Sequence, residues 1–167
     1  MALKNVNDYL PTRFWLMKTE PNVFSFADLL QKKEQKEFWD GVRNYQARNF
    51  MQKEMQIGDR VLFYHSNAEP TGIAGIAEIV ETARPDLSAL DPKSKYFDPK
   101  ATVENPRWFA VTVGNPQKFS QFVSLTQLKE YKELQSMLLL RKGQRLSILP
   151  VSEDEFHFIV KLGSQKI

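Results

Sequence analysis

Short apolar runs, some alternating and some continuous, are separated along the whole chain by polar stretches carrying glycine and proline. Phe14-Trp15-Leu16-Met17 is apolar without a break, the pattern of a short strand buried on both faces. Lys18-Thr19-Glu20-Pro21 closes it, because the residue before a proline resists the helical region. Ser25 followed by Asp28 predicts a helix N-cap with an acid in the first turn, so 25–33 reads as a short helix burying Leu29 and Leu30. Residues 39–44, with Gly41 among them, read as a loop or short strand. Asn44 then caps a second helix over about 45–56, with Ala47, Phe50 and Met51 on one face and Gly58 as its stop.

Arg60–His65 and Gly72–Glu81 read as strands joined by the polar turn 66–71. The stretch 84–106 carries Pro85, Pro92, Pro99 and Pro106 and reads as a long irregular loop within the domain, the kind of loop that often binds ligands. Trp108–Val113 predicts a strand extended past Pro116 toward Phe122, and 124–137 a helix broken once. Gly143 turns into a last strand over 145–149. Ser152 and Glu155 form a capping box opening a final helix that buries Phe156, Ile159 and Val160 and ends at Gly163. Short, irregularly spaced strands of this kind argue against regular βαβ units. The expectation is an α+β fold: a small curved β-barrel of about five or six strands surrounded by short helices. A single domain is expected over 13–167, behind a polar N-terminal extension, 1–12.

Composition narrows the chemistry. The chain has no cysteine, which excludes disulfides, thiolate nucleophiles, thiolate zinc sites and iron–sulfur clusters. Its two histidines, His65 and His157, argue against a multi-histidine metal site, so neither metal nor cofactor is expected. Mean hydropathy is −0.44, and no apolar run approaches the ~20 residues of a membrane span. The opening MALKNVNDYLPTRF lacks the pattern of a secretory signal. A soluble cytoplasmic protein without a membrane partner is expected, and a monomer, since no apolar helical stripe is left unused. Twenty-three Lys and Arg oppose twenty Asp and Glu, net +3. That balance fits one local basic patch, or no polyanion partner at all.

The usual enzyme signatures are missing: no phosphate-binding glycine loop with a lysine, no dinucleotide fingerprint, no HExxH and no GxSxG. Gly72-Ile73-Ala74-Gly75 matches a backbone-clamping GxxG, but it has no basic residue and lies in a β-branched run, so it reads as strand glycines. His65 and Ser66 are neighbours on a strand and point to opposite faces, which disfavours a catalytic dyad. His65 instead reads as a hydrogen-bonding residue at a pocket rim, and His157 as a surface residue. The segment from Phe38 to Phe50 interleaves Trp39 and Tyr45 with Arg43, Asn44, Gln46, Arg48 and Asn49. Aromatics stack on bases, amides read base edges and arginines meet phosphates. The same residues also suit an aromatic core with solvated arginines, and Trp15 and Trp108 share that ambiguity.

Trp15-Leu16-Met17-Lys18-Thr19-Glu20-Pro21 resembles the opening motif of the EVE domain family. The run from Trp39 to Asn49, WDGVRNYQARN, resembles its second motif, and Gly58-Asp59 with Leu62-Phe63-Tyr64-His65-Ser66 its third. Gly75-Ile76-Ala77-Glu78-Ile79, Tyr96-Phe97-Asp98, Pro106-Arg107-Trp108 and Gly143-Gln144-Arg145-Leu146-Ser147 follow in the family's order. The resemblance runs from about Phe14 to Leu162 and is to the short, bacterial-type form without a basic tail. It implies a PUA-like fold and a non-catalytic reader of a modified base, such as 5-methylcytosine or 5-hydroxymethylcytosine, in DNA or RNA.

By the resemblance, Trp39 takes the place of a cage tryptophan in the related YTH domains. Lys18 and Thr19 match strand-end residues beside the base, and His65 and Ser66 end the neighbouring strand. Ser25, Asn44 and Tyr45 fall in EVE-type motifs. No aromatic stands between Ser66 and Gly72, so a second wall falls to Trp15, Tyr96 or Trp108, or the base is held from one side. Arg43, Arg48 and Lys18 are the expected phosphate contacts. Two alternatives use the same pocket: a nucleotide or RNA hydrolase built on His65 with Asp40 or Glu20, and a small-ligand sensor.

Overall fold

The computed structural model describes residues 12–165. The extension expected over 1–12 lies, Thr12 apart, outside the described residues. Six strands make one mixed sheet: β1 (Phe14–Thr19), β2 (Glu37–Phe38), β3 (Arg60–His65), β4 (Gly72–Pro85), β5 (Phe109–Ser124) and β6 (Ile148–Val151). Their spatial order is β2-β5-β4-β3-β1-β6. β1 runs parallel to β3, and the other pairings are antiparallel. The six strands and short helices are those expected of the fold, but the sheet stays open, with β2 and β6 as its edges.

Strand alternation builds two cores, one on each face. Trp15, Met17, Val61 and Phe63 point to one side, while Leu16, Leu62 and Tyr64 point to the other. The first face is covered by α1 (Phe26–Gln31), α2 (Tyr45–Asn49) and the π-helical turn Phe50–Glu54, through Phe26, Leu29, Ala47 and Met51. The second is covered by α3 (Leu125–Leu128), two 3₁₀ turns and α4 (Glu153–Gly163), through Leu128, Leu134, Phe156 and Ile159. This double burial explains the unbroken apolar run at the start of β1.

Helix starts are set by local chemistry. Ser25 and Asp28 form a capping box at α1, Ser152 and Glu155 one at α4, and the Asn44 side chain accepts the Ala47 N–H at α2. Departures from the expected elements have physical causes. The segment 124–137 is broken once, as expected, but into two short pieces, α3 and the 3₁₀ turn Lys132–Leu134 capped at Tyr131. β4 and β5 outrun their expected lengths because bulges interrupt their alternation, one of them at Asn115 and Pro116 opposite Ala77, with Asn115 at a φ of 48°. The last strand lies at 148–151 and includes Pro150, which an edge strand tolerates because no neighbour needs its missing N–H. No helix among the described residues is long and apolar enough to cross a membrane.

Candidate functional site

The C-terminal end of β1 opens into a cleft of about 450 Å³, within the size range of small-molecule sites. Lys18, Thr19 and Glu20 come from β1 and its exit, and Val23 and Phe24 from the turn before α1. Glu37, Phe38, Trp39, Asp40, Gly41, Val42 and Arg43 come from β2 and the loop after it. Lys95 and Tyr96 come from the long loop, and Ser147 from the approach to β6. Trp39 is held from behind by the Phe63 ring, edge to face at 5.5 Å, and its backbone N–H donates to Val111 O at 2.9 Å. Thr19 Oγ1 donates to Phe24 O at 3.1 Å, and Lys18 N–H to Ser147 O at 2.8 Å, so the three walls are tied together.

The charges are mixed. Burial lowers the pKa of Lys18, whose Nζ lies 5.7 Å from the Tyr64 ring centroid. Burial, then the negative charges of Asp86 and Glu37, raise that of Asp40 at the lip. The cleft therefore offers carboxylate acceptors at Glu20, Glu37 and Asp40 beside ammonium and hydroxyl donors at Lys18, Lys95 and Ser147.

Arg43 is the keystone of the long loop. Nε and Nη2 both donate to Tyr96 O (3.0 and 2.7 Å), Nη1 donates to Asp86 Oδ2 (3.0 Å) and Val42 O (2.9 Å), and Nη2 also to Ser88 Oγ (3.2 Å). A guanidinium has five N–H donors, and here each has a partner. Asp86 is buried; burial opposes its charge, yet hydrogen bonds from Ser88, Gly41 N–H and Arg43 hold its pKa below the ordinary carboxylate range. Gly41, at φ +82°, passes so close to Tyr96 that a Cβ would sit 2.5 Å from the ring, so only glycine lets the loop form this wall. Arg43 was expected to meet phosphate; the structure spends it on positioning Tyr96 instead.

The other expected residues fall in several places. Lys18, Thr19 and Trp39 line the cleft together. His65 is not among the lining residues; it pairs with Thr19 across β1 and β3, its Nε2 accepts the Phe26 N–H at 3.1 Å, and burial lowers its pKa. That bond occupies the nitrogen a general base would use, and Asp40 and Glu20 are not among its hydrogen-bond partners. Ser66 donates its backbone N–H to Thr19 O, and the Ser25 hydroxyl caps α1. Trp15 is in the core, donating Nε1–H to Asp59 at 2.9 Å. Trp108 is buried too, donating Nε1–H to Asp98 at 2.7 Å, the leading reason that the Asp98 pKa is lowered. Of the three candidates for a second aromatic wall, only Tyr96 lines the cleft.

Tyr45 stacks on Trp108 at 5.0 Å and 12°, with the Arg48 guanidinium 4.7 Å from its centroid and Arg107 bonded to its hydroxyl. Arg48 donates to Arg107 O and Asn49 Oδ1. Asn44 lines a second groove, described below. Sequence reasoning missed Glu37, Lys95 and Ser147: Glu37 falls between the elements it read, Lys95 in the long loop, and Ser147 in a segment read as strand interior.

The EVE domain family matches the chain over residues 13–162. This chain belongs to the EVE domain family. Human thymocyte nuclear protein 1 is 38% identical to this EVE domain chain over 182 residues, 99% of the chain and 78% of that protein. Its crystal structure in complex with 5-methylcytosine-containing DNA superposes with a TM-score of 0.86, covering 93% of this chain and 100% of the other, at 38% identity. The crystal structure of protein PSPTO5229 from Pseudomonas syringae superposes with a TM-score of 0.83 at 48% identity, covering 90% of this chain and 99% of that one.

Proposed function

We infer that this EVE domain is a non-catalytic reader that captures a modified base of DNA, a 5-substituted cytosine, in the cleft between Trp39 and Tyr96. The observation that carries this reading is the pairing of aromatic walls with donors and acceptors in one base-sized cleft. The complex of the human relative with 5-methylcytosine-containing DNA supports it. The edge of cytosine presents an exocyclic amine donor beside two acceptors. Carboxylates accept from the amine, a role for Asp40, Glu37 or Glu20, while Lys18 and Ser147 supply donors to the ring nitrogen and carbonyl. Thr19 positions the β1 end.

Magnitudes set what such a site needs. Extruding a base from a duplex costs a few kcal/mol, and stacking on an aromatic returns about 1–3 kcal/mol. One buried methyl adds about 0.8 kcal/mol, only about a fourfold preference. Strong selection of a methyl therefore requires a dry, shape-matched contact, whereas a hydroxymethyl group is selected through its hydrogen bonds. The hydrolase alternative loses its base, since His65 Nε2 already accepts a backbone N–H.

The test is a fluorescence-anisotropy titration against duplex and single-stranded DNA and RNA oligonucleotides carrying cytosine, 5-methylcytosine or 5-hydroxymethylcytosine at one position. A preference for the modified base is expected, with Trp39→Ala reducing it to near one while the fold, read by melting, persists. Equal affinity for marked and unmarked strands in the wild type would end the reading.

A further inference from the structure

A second groove of about 430 Å³ lies beside the first. The two share a ridge one residue thick: Arg43 lines the cleft and Asn44 the groove, Ser147 the cleft and Leu146 the groove. Their charge differs: the cleft is mixed and the groove is cationic. The cleft carries three carboxylates, and one of its cations, Arg43, has no donor to spare. The groove carries Arg141 and Arg145 over an apolar floor of Phe50, Leu149 and Pro150, with no carboxylate among its lining residues. Among the described residues neither arginine takes part in an ion pair.

The amides of the groove add to this bias. Asn44 Oδ1 accepts the Ala47 N–H at 3.0 Å, and Gln144 Oε1 accepts the Leu146 N–H at 3.1 Å. Both acceptor ends are thus occupied, which leaves the –NH₂ ends as donors. Two guanidiniums and two oriented amides make a surface for anionic oxygen, and Arg presents a planar fork that matches phosphate.

We propose that this groove binds the phosphodiester backbone of the strand whose base occupies the cleft, with Arg141 and Arg145 as the phosphate contacts. This rests on the reader function inferred above and assigns the salt-dependent part of the affinity to a different surface from the part that distinguishes bases. The ridge then separates base from backbone: the base enters the side that holds carboxylates, and the phosphates lie on the side that holds none.

The test compares the wild type with the double variant Arg141→Gln/Arg145→Gln on duplexes with and without one 5-methylcytosine, across a salt series. A control, Lys118→Gln/Lys161→Gln, removes the same charge from β5 and α4. The groove variant is expected to bind both duplexes more weakly by the same factor. Its slope of log affinity against log salt should be shallower by about two, with the ratio between duplexes unchanged and the control slope like the wild type. An unchanged slope, or a slope reduced equally by the control, overturns the proposal. So does a changed ratio, which would make the groove part of base reading. A third arm titrates 5-methyldeoxycytidine monophosphate; binding that depends on the two arginines would mark a free-nucleotide site and also overturn the strand assignment. If the wild type does not distinguish the duplexes, the reader function fails, but the slope comparison still decides whether the groove holds a DNA backbone.

Discussion

His65 shows how a single bond sets a residue's role. Its Nε2 accepts the Phe26 N–H, so the fold needs the neutral ring, and burial lowers its pKa accordingly. Below the ordinary histidine value of about 6.5 the unfolded chain takes up a proton that the folded one resists. Stability is therefore full above that pH and is lost as pH falls through the lower folded value. Thermal melting from pH 7 to pH 5 should show a falling midpoint in the wild type and a flatter profile in His65→Asn; parallel profiles would remove His65 from the account. The sequence placed His65 correctly at the end of a strand. Its partner was not legible, because the Phe26 N–H comes from a helix 39 positions earlier in the chain. Trp15 and Trp108 were ambiguous for the same reason: only their distant acceptors, Asp59 and Asp98, identify them as satisfied interior residues.

At the scale of elements, caps and apolar runs were readable because they are local. Ser25, Asn44 and Ser152 begin helices as expected, and β3 matches its expected bounds. What pattern could not supply was the path of the long loop, whose order comes from Arg43, Asp86 and Trp108 acting across the chain. Arg43→Lys tests that assignment. It keeps the charge but loses the fork that spans Tyr96 O and Asp86, and should cost about 2–3 kcal/mol in denaturant unfolding. Base discrimination should fall with it, since Tyr96 is released, while the salt slope stays as in the wild type. A shallower slope with stability intact would restore Arg43 as a phosphate contact. The absence of a second cage aromatic between Ser66 and Gly72 was legible, and of the residues considered in its place Tyr96 lines the cleft together with Trp39.

The whole molecule has two cores sharing one sheet, and only one of them backs the cleft. Phe63 meets Trp39, Phe24 and Phe26, whereas its neighbour Leu62 points into the opposite core. Leu62→Ala should cost about 2–5 kcal/mol and Phe63→Ala about 3–5 kcal/mol. The two should nevertheless part in binding: discrimination of the modified base is expected to collapse in Phe63→Ala and to survive in Leu62→Ala, measured well below either melting point. Equal loss in both would mean that the cores are not separable in function. The clamp of Arg43 on the loop also has a thermodynamic consequence. Ordering a free backbone costs about 1–2 kcal/mol per residue, and here the Tyr96 wall is fixed when the chain folds, not when a ligand arrives. Complex formation should then carry the calorimetric signature of rigid docking, a heat-capacity change scaled to the surface in contact, with no added contribution from a segment folding around its guest.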